Sequence, residues 1–249
     1  MSDHTLPLTG ERTVPGVAIE NYWFARHVAA YRFAVGRCRG LRVLDAGCGE
    51  GYGTAMLAGA AGADGAALGV DLDGAVVAHA RRAYPGVEFA EADLCRLPLP
   101  DAAFDAVVSL QVVEHLPDAG RCLAEAARVL RPGGEFLCAT PNRLTFSPGG
   151  APVNPFHVRE YSPAEFADLL GGHFRVKALL GVHHGPRIRA IERTAARPFA
   201  ELLAERPPDE WPGWLRAAVA RVRPADFVLR ADRLDDSLDL LAVAATPRA

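Results

Sequence analysis

Val43-Leu44-Asp45-Ala46-Gly47-Cys48-Gly49-Glu50-Gly51-Tyr52-Gly53-Thr54 carries an apolar strand directly into a glycine-dense turn and then into a helix. Glycine tolerates positive φ and lacks the Cβ that keeps a chain at a distance. A helix that starts near Gly51 turns unpaired amides toward any carboxylate or phosphate placed there. The junction therefore predicts a nucleoside site built from Gly47, Cys48, Gly49 and Gly51.

The spacing discriminates between nucleosides. A dinucleotide fingerprint, G-x-G-x-x-G, needs its third glycine five residues after the first; counted from Gly47 that residue is Tyr52, and from Gly49 it is Thr54. The stretch reads D-x-G-x-G-x-G instead, with Asp45 at the strand end. A carboxylate there repels a pyrophosphate and attracts the ammonium and sulfonium charges of S-adenosylmethionine. Two further acids follow in register. Asp71 closes Leu68-Gly69-Val70-Asp71-Leu72, where it can take both ribose hydroxyls, and Asp93 lies in Glu91-Ala92-Asp93-Leu94, where it can accept from the adenine amine while Leu94 lines the ring. Taken singly, such acids are more often helix caps or turn residues.

Outward from the turn, strand and helix alternate. Residues 21–38 read as an N-terminal helix, followed by strands at 41–46, 66–70, 87–90, 104–110 and 134–139 and helices at 51–61, 74–84 and 119–130. This alternation predicts βαβ units and a parallel sheet covered on both faces, a doubly wound α/β fold. Residues 141–163 read as a loop and 163–171 as a helix; residues 174–181 and 237–245 read as sixth and seventh strands. The Arg- and Pro-rich stretch 187–224 reads as an inserted helical cap. We expect one domain over 1–249, with a lead and helix at 1–40, a cofactor-binding core at 41–183, the cap at 184–225 and the final strand at 226–249.

Composition narrows the classes. Half of the 249 residues are hydrophobic, enough for a substantial core. A net charge of −3 supplies no basic field for nucleic acid. No apolar run has membrane-spanning length, and no basic-then-apolar leader is evident. The five cysteines, Cys38, Cys48, Cys95, Cys122 and Cys138, contain no C-x-x-C pair and read as reduced core thiols of a cytoplasmic protein.

The chain resembles the class I S-adenosylmethionine-dependent methyltransferases over about residues 20–180. Val43 to Gly49 matches their first motif and Asp71 their ribose acid; Ala92-Asp93 matches their adenine motif. Phe104 to Ser109 matches their fourth strand, and Leu130-Arg131-Pro132-Gly133-Gly134 the turn into the fifth. The resemblance implies a Rossmann-like seven-stranded sheet, mostly parallel, with an antiparallel last strand, and S-adenosylmethionine as cofactor. Gly10 to Pro15, Glu20 to His27, Asn154 to Glu160, Gly185-Pro186-Arg187 and Asp235 to Leu240 are more narrowly similar to bacterial sugar O-methyltransferases of methylglucose lipopolysaccharide synthesis. That likeness implies a small-molecule or glycan acceptor, with an N- or C-methylated natural product and a non-catalytic nucleoside-binding protein as the competing readings.

Methyl transfer to a sugar hydroxyl needs a base within hydrogen-bond reach of a weak nucleophile, and neutral histidine suits the task. His115, in Gln111-Val112-Val113-Glu114-His115 after the fourth strand, is the first candidate, with Glu114 beside it; His157 is the second. His183 and His184, at the end of the sixth strand, are candidate acceptor contacts. Leu72 and Gln111 join the expected cofactor site. Tyr22 and Trp23 are expected to close over the sulfonium, and Arg12 and Arg26 to meet the methionine carboxylate. No H-E-x-x-H spacing or cysteine cluster points to a metal.

Overall fold

The computed structural model describes residues 12–247, so Gly10 and Glu11 of the first sugar-enzyme-like segment lie outside the described residues. In chain order the elements are α1 (Asn21–Arg37), β1 (Arg42–Ala46), α2 (Tyr52–Ala61), β2 (Ala66–Asp71), α3 (Gly74–Ala83), β3 (Glu88–Glu91), β4 (Phe104–Leu110), α4 (Ala119–Val129) and β5 (Leu130–Pro141). They continue as α5 (Arg143–Phe146), α6 (Pro163–Gly171), β6 (Arg175–His184), α7 (Pro186–Ala195), α8 (Phe199–Ala204), α9 (Gly213–Ala220), β7 (Phe227–Arg230) and β8 (Asp239–Ala245). The seven anticipated strands are present together with an eighth, β7, whose four residues are too few to show a period of two.

The sheet order is β3-β2-β1-β4-β5-β8-β6-β7. β1 to β5 run parallel, while β8 pairs antiparallel with both β5 and β6, and β7 pairs antiparallel with β6. Because successive residues of a strand face opposite sides, each inner strand feeds two cores. Phe136 and Cys138 of β5 join Leu240, Ala242 and Ala244 of β8 on the side of α4 and α6. Leu137 and Ala139 join Leu241 and Val243 on the side of α1 and α2. A third cluster packs Tyr22, Ala25 and Ala29 of α1 against Ile188, Phe199, Leu202, Trp211 and Leu215 of the segment between β6 and β7.

This third cluster corrects one expectation. Tyr22 is buried in it, its hydroxyl 2.7 Å from His184 Nε2 and its ring against Phe199 and Phe227. It occupies the core-facing stripe of an amphipathic helix and does not reach the crevice. A second correction concerns sulfur: Cys95, after β3, and Cys122, in the first turn of α4, form a disulfide, whereas Cys38, Cys48 and Cys138 are buried thiols.

The glycine turn is set by hydrogen bonds and by missing side chains. The Gly47 and Cys48 amides both donate to the Val70 carbonyl, at 2.8 and 2.9 Å, and the Gly49 amide donates to Asp71 Oδ2 at 2.9 Å. At φ +87° a Cβ on Gly47 would collide with the Val112 side chain, so glycine lets the segment after β4 close onto the turn. Asp45 is wholly buried, accepting from Thr54 Oγ1 of α2 at 2.6 Å and from the Tyr31 hydroxyl of α1 at 3.1 Å. Its carboxylate therefore ties the strand to two helices and does not face the crevice, contrary to the ligand contact expected for it. Burial pushes its pKa up to about 7 against those two hydrogen bonds.

Beyond β5, buried Asn142 holds the next loop. Its amide nitrogen reaches the carbonyls of Leu234, Asp235 and Ser237 at 2.9, 3.1 and 3.0 Å, and its Oδ1 accepts from the Leu144 amide.

Two outcomes follow from these bonds. Asn142→Ala leaves buried carbonyls without a donor and should lower unfolding free energy by about 2 kcal/mol in urea denaturation. For Asp45 the folded pKa lies above the ordinary carboxylate value, so the native state holds a proton that the unfolded chain has released. Stability contributed by this group falls as pH rises from the ordinary carboxylate range to about 7 and is level above it. Asp45→Asn should remove that slope from melting temperatures recorded across the same pH range.

Candidate active site

The carboxyl ends of the parallel strands form one edge, and the sheet order lays the candidate residues along it. From β3 inward come Asp93 and Leu94, then Asp71 and Leu72, the glycine turn after β1, Gln111 to His115 after β4, and the loop after β5 that carries His157. Such an edge, where the strand order reverses between β1 and β4, is where open α/β sheets bind ligands.

At the outer end, Asp71 accepts from the Gly49 and Asp73 amides, through one oxygen each, so it fixes the glycine turn and keeps acceptor capacity beyond those two bonds. Asp93 is exposed and accepts from the Cys95 amide at 2.8 Å. Leu72 is 69% exposed, a large apolar surface at the strand end with no core to cover it. Cys48, by contrast, turns its thiol into a small core with Val77, Ala80 and Phe89, leaving only its backbone for a ligand.

At the inner end lies a cavity of about 250 Å³. Gln111, Glu114 and His115 form one wall, Phe146, Asn154 and His157 a second, and Arg12, Thr13, Glu20, Trp23, Arg26 and His27 the third. The structure thus brings together Gln111, Glu114, His115, His157 and Arg26, which the sequence scatters over 132 positions (26 to 157, counted inclusively). Asp71, Leu72, Asp93 and Leu94 do not line this cavity and stand farther along the edge.

Gln111 adopts φ +59°, rare for a side chain with a Cβ, and this turns the chain sharply after β4. Glu114 follows, 1% exposed. Its Oε2 accepts from Thr140 Oγ1 at 3.0 Å, and its Oε1 finds no partner among the described residues. Burial pushes its pKa up to about 8, against a backbone bond and Thr140, with Asp239 and Glu160 adding to the rise. The Glu114 carbonyl accepts from the Val158 and Arg159 amides at 2.8 and 3.1 Å, which staples the loop after β5 onto this segment. His115 and His157 consequently meet edge to face, with ring centroids 4.9 Å apart. His115 Nδ1 lies 3.0 Å from the Phe156 carbonyl, and His157 Nδ1 lies 2.7 Å from Glu160 Oε1, a carboxylate itself 3% exposed.

Arg26 is buried and pairs with Asp239 at the start of β8, 2.7 Å away, while its Nε has no partner among the described residues. Its charge is therefore matched within the wall by a partner that motif spacing does not announce. His27, beside it, is pushed down to about 3 by burial, the Arg26 cation and His115, and is neutral at neutral pH. Sequence reading missed His27 and Glu20 as cavity residues, although Glu20, Trp23 and His27 follow the i, i+3, i+7 spacing of one helix face. It also missed Phe146 and Asn154, which no periodicity marks. His183 and His184 do not line the cavity: His184 is held by Tyr22 and Glu192 on the cap side.

Comparison with known proteins identifies the family. A family model described as a methyltransferase domain matches residues 44–138. A probable S-adenosylmethionine-dependent methyltransferase of Mycolicibacterium smegmatis is 49% identical, covering 97% of this chain and 96% of its own. One of Mycobacterium tuberculosis is 46% identical over 99% of this chain and 92% of its own. The trans-aconitate 2-methyltransferase of Azoarcus is 32% identical over 74% of this chain and 78% of its own. Among solved structures, an S-adenosylmethionine-dependent methyltransferase of Mesorhizobium loti shares the fold, with a TM-score of 0.57 and 21% identity over 92% of this chain and 98% of that one. The methyl donor that the missing third glycine selects is thus the cofactor of these relatives, and the chain belongs to the class I S-adenosylmethionine-dependent methyltransferases.

Proposed function

We propose that this methyltransferase is an O-methyltransferase acting on a sugar hydroxyl of a glycan or glycolipid precursor. The observation that carries the reading is the convergence of Glu114, His115 and His157 on one cavity, at the end of a segment whose Val112 packs against Gly47 of the glycine turn. An alkyl hydroxyl is a weak nucleophile and must lose its proton as the new bond forms, so a cluster of imidazoles and a carboxylate belongs where a hydroxyl reacts. The segments Glu20 to His27 and Asn154 to Glu160, which resemble sugar O-methyltransferases, contribute residues to two of the three cavity walls.

In this reading the cofactor lies along the carboxyl edge. Asp93 and Leu94 take the adenine, Asp71 the ribose hydroxyls beside Leu72, and the backbone of Gly47, Cys48, Gly49 and Gly51 the homocysteine portion. The sulfonium methyl then points past Gln111 into the cavity, where Trp23 offers an aromatic face to the charge and the unpaired Nε of Arg26 a donor to the methionine carboxylate. The acceptor hydroxyl sits against His115 and His157, roughly 3 to 3.5 Å from the methyl carbon and in line with the departing sulfur. In its simplest form one imidazole takes the proton. The carbon–oxygen bond forms as the carbon–sulfur bond breaks, and the electron pair stays on sulfur.

Asp71→Ala removes a charged acceptor and should raise the dissociation constant for S-adenosylmethionine about 10- to 100-fold, the effect of a charge-assisted bond of roughly 1.5 to 3 kcal/mol, without loss of the folded state in circular dichroism. An unchanged constant in calorimetry removes Asp71 from the ribose site. His115→Ala and His157→Ala should each lower turnover at saturating cofactor by about 10²-fold or more, with cofactor affinity retained. A panel of sugars and amines assayed with labelled methyl donor tests the acceptor: label found only on nitrogen overturns the sugar reading.

A further inference from the structure

The Glu114, His115 and His157 side chains each present one potential metal ligand, and the three ligand atoms lie within 4.8 Å of one another. Bonds of roughly 2.1 Å to a common ion require donors roughly 3 to 4 Å apart, a closure that side-chain torsions supply. What surrounds the three donors is more specific than their proximity. Histidines that hold metals almost always donate the other ring nitrogen to a carboxylate or a carbonyl, which fixes the tautomer and aims the lone pair. Both arrangements occur here. His157 Nδ1 faces the buried Glu160 carboxylate at 2.7 Å, and His115 Nδ1 faces the Phe156 carbonyl at 3.0 Å. With the protons on Nδ1, each Nε2 carries the lone pair. Glu114 completes the set: it is 1% exposed, anchored through Oε2 to Thr140, and its Oε1 finds no partner among the described residues. A buried carboxylate oxygen left without a donor is costly, and a cation relieves that cost.

We propose that Glu114, His115 and His157 form a binding site for one divalent first-row metal ion, with the acceptor hydroxyl taking an open coordination position. Two imidazoles and one carboxylate suit ions such as zinc, manganese or cobalt, and three protein ligands leave room for substrate. The inference rests on reading the cavity as the place where the acceptor hydroxyl reacts, and it changes what carries the charge there. The ion replaces the imidazole base. The hydroxyl O–H bond breaks with the proton passing to solvent water, the ion holds the resulting alkoxide, and that oxygen attacks the methyl carbon as the electron pair of the carbon–sulfur bond goes to sulfur. Glu160 acts as a positioning residue behind His157.

The test is a titration of the full, tag-free chain with Co²⁺, read by visible absorption and by melting temperature, with no turnover needed. The wild type should take up one equivalent and gain thermal stability as it does so. His157→Ala should abolish that uptake, and Glu160→Gln, which keeps shape and volume, should weaken it about 10- to 100-fold, each variant retaining its circular dichroism spectrum. No uptake by the wild type, or equal uptake by a folded His157→Ala, overturns the metal site. Undiminished sugar methylation after chelation also overturns it and leaves the proposed function standing. Stoichiometric Co²⁺ uptake that depends on His157, with no sugar methylated in its presence, upholds the ion site and removes the sugar acceptor.

Discussion

Everything at the carboxyl edge depends on the buried carboxyl group of Asp45. Placed at the end of β1 with no solvent access, it is held by Thr54 from α2 and Tyr31 from α1. An ionisable group in such a place is unfavourable unless its oxygens are satisfied. The sequence meets this by bringing two helices to the same strand end. Gly53 makes room for the Tyr31 ring, since a Cβ there would overlap it. The position of α1 is fixed in this way, and with it the face that carries Trp23, Arg26 and His27 into the cavity. A residue that reads as a ligand contact is therefore the joint on which one wall of the site is hung.

The outer half of the site was legible because its logic is local. A glycine turn, an acid at the end of the next strand and an acid after the third each sit within a few residues of a strand end, and strand alternation places them on one edge. The boundaries of β1 to β4 were legible for the same reason, whereas β5 begins at Leu130 and takes in the Arg131-Pro132-Gly133 stretch that reads as a turn. Two classes of feature were not. β7 is four residues long and follows the cap, so neither length nor period separates it from a loop. Tyr22 shares its helix with Trp23 one residue away, and both pack on the cap core, yet Tyr22 is enclosed by it while Trp23 also lines the cavity. Sequence order identifies both as aromatic; only the rotation of α1 against its neighbours decides which of them is exposed to a ligand.

The inner half of the site illustrates a more general limit. Its walls come from α1, the turn after β4 and the loop after β5, and they meet through long-range bonds: Val158 and Arg159 amides to the Glu114 carbonyl, Thr140 to the Glu114 carboxylate, and Asn142 to the connection before β8. No fixed spacing encodes such an assembly. A reader searching for a metal-ligand motif with its histidines on one helix passes over Glu114, His115 and His157, because the third donor arrives from another loop 42 residues later (157 − 115).

The Arg26–Asp239 pair joins residues 213 apart, one near each end of the described chain. Asp239 opens the strand that slides between β5 and β6 and runs opposite to both. During synthesis, the glycine turn and the acids of β2 and β3 leave the ribosome long before that strand does. The nascent chain can thus gather the parts of a nucleoside site early, while the buried cation of α1 has no counter-charge until β8 is made. Completion of this cavity wall accordingly waits for β8 and couples two segments far apart in the polypeptide, and closing so long a loop is the slow kind of contact in folding. A chain that stops short of β8 would carry a desolvated guanidinium without its partner, so the cavity wall built on α1 depends on the strand that supplies Asp239.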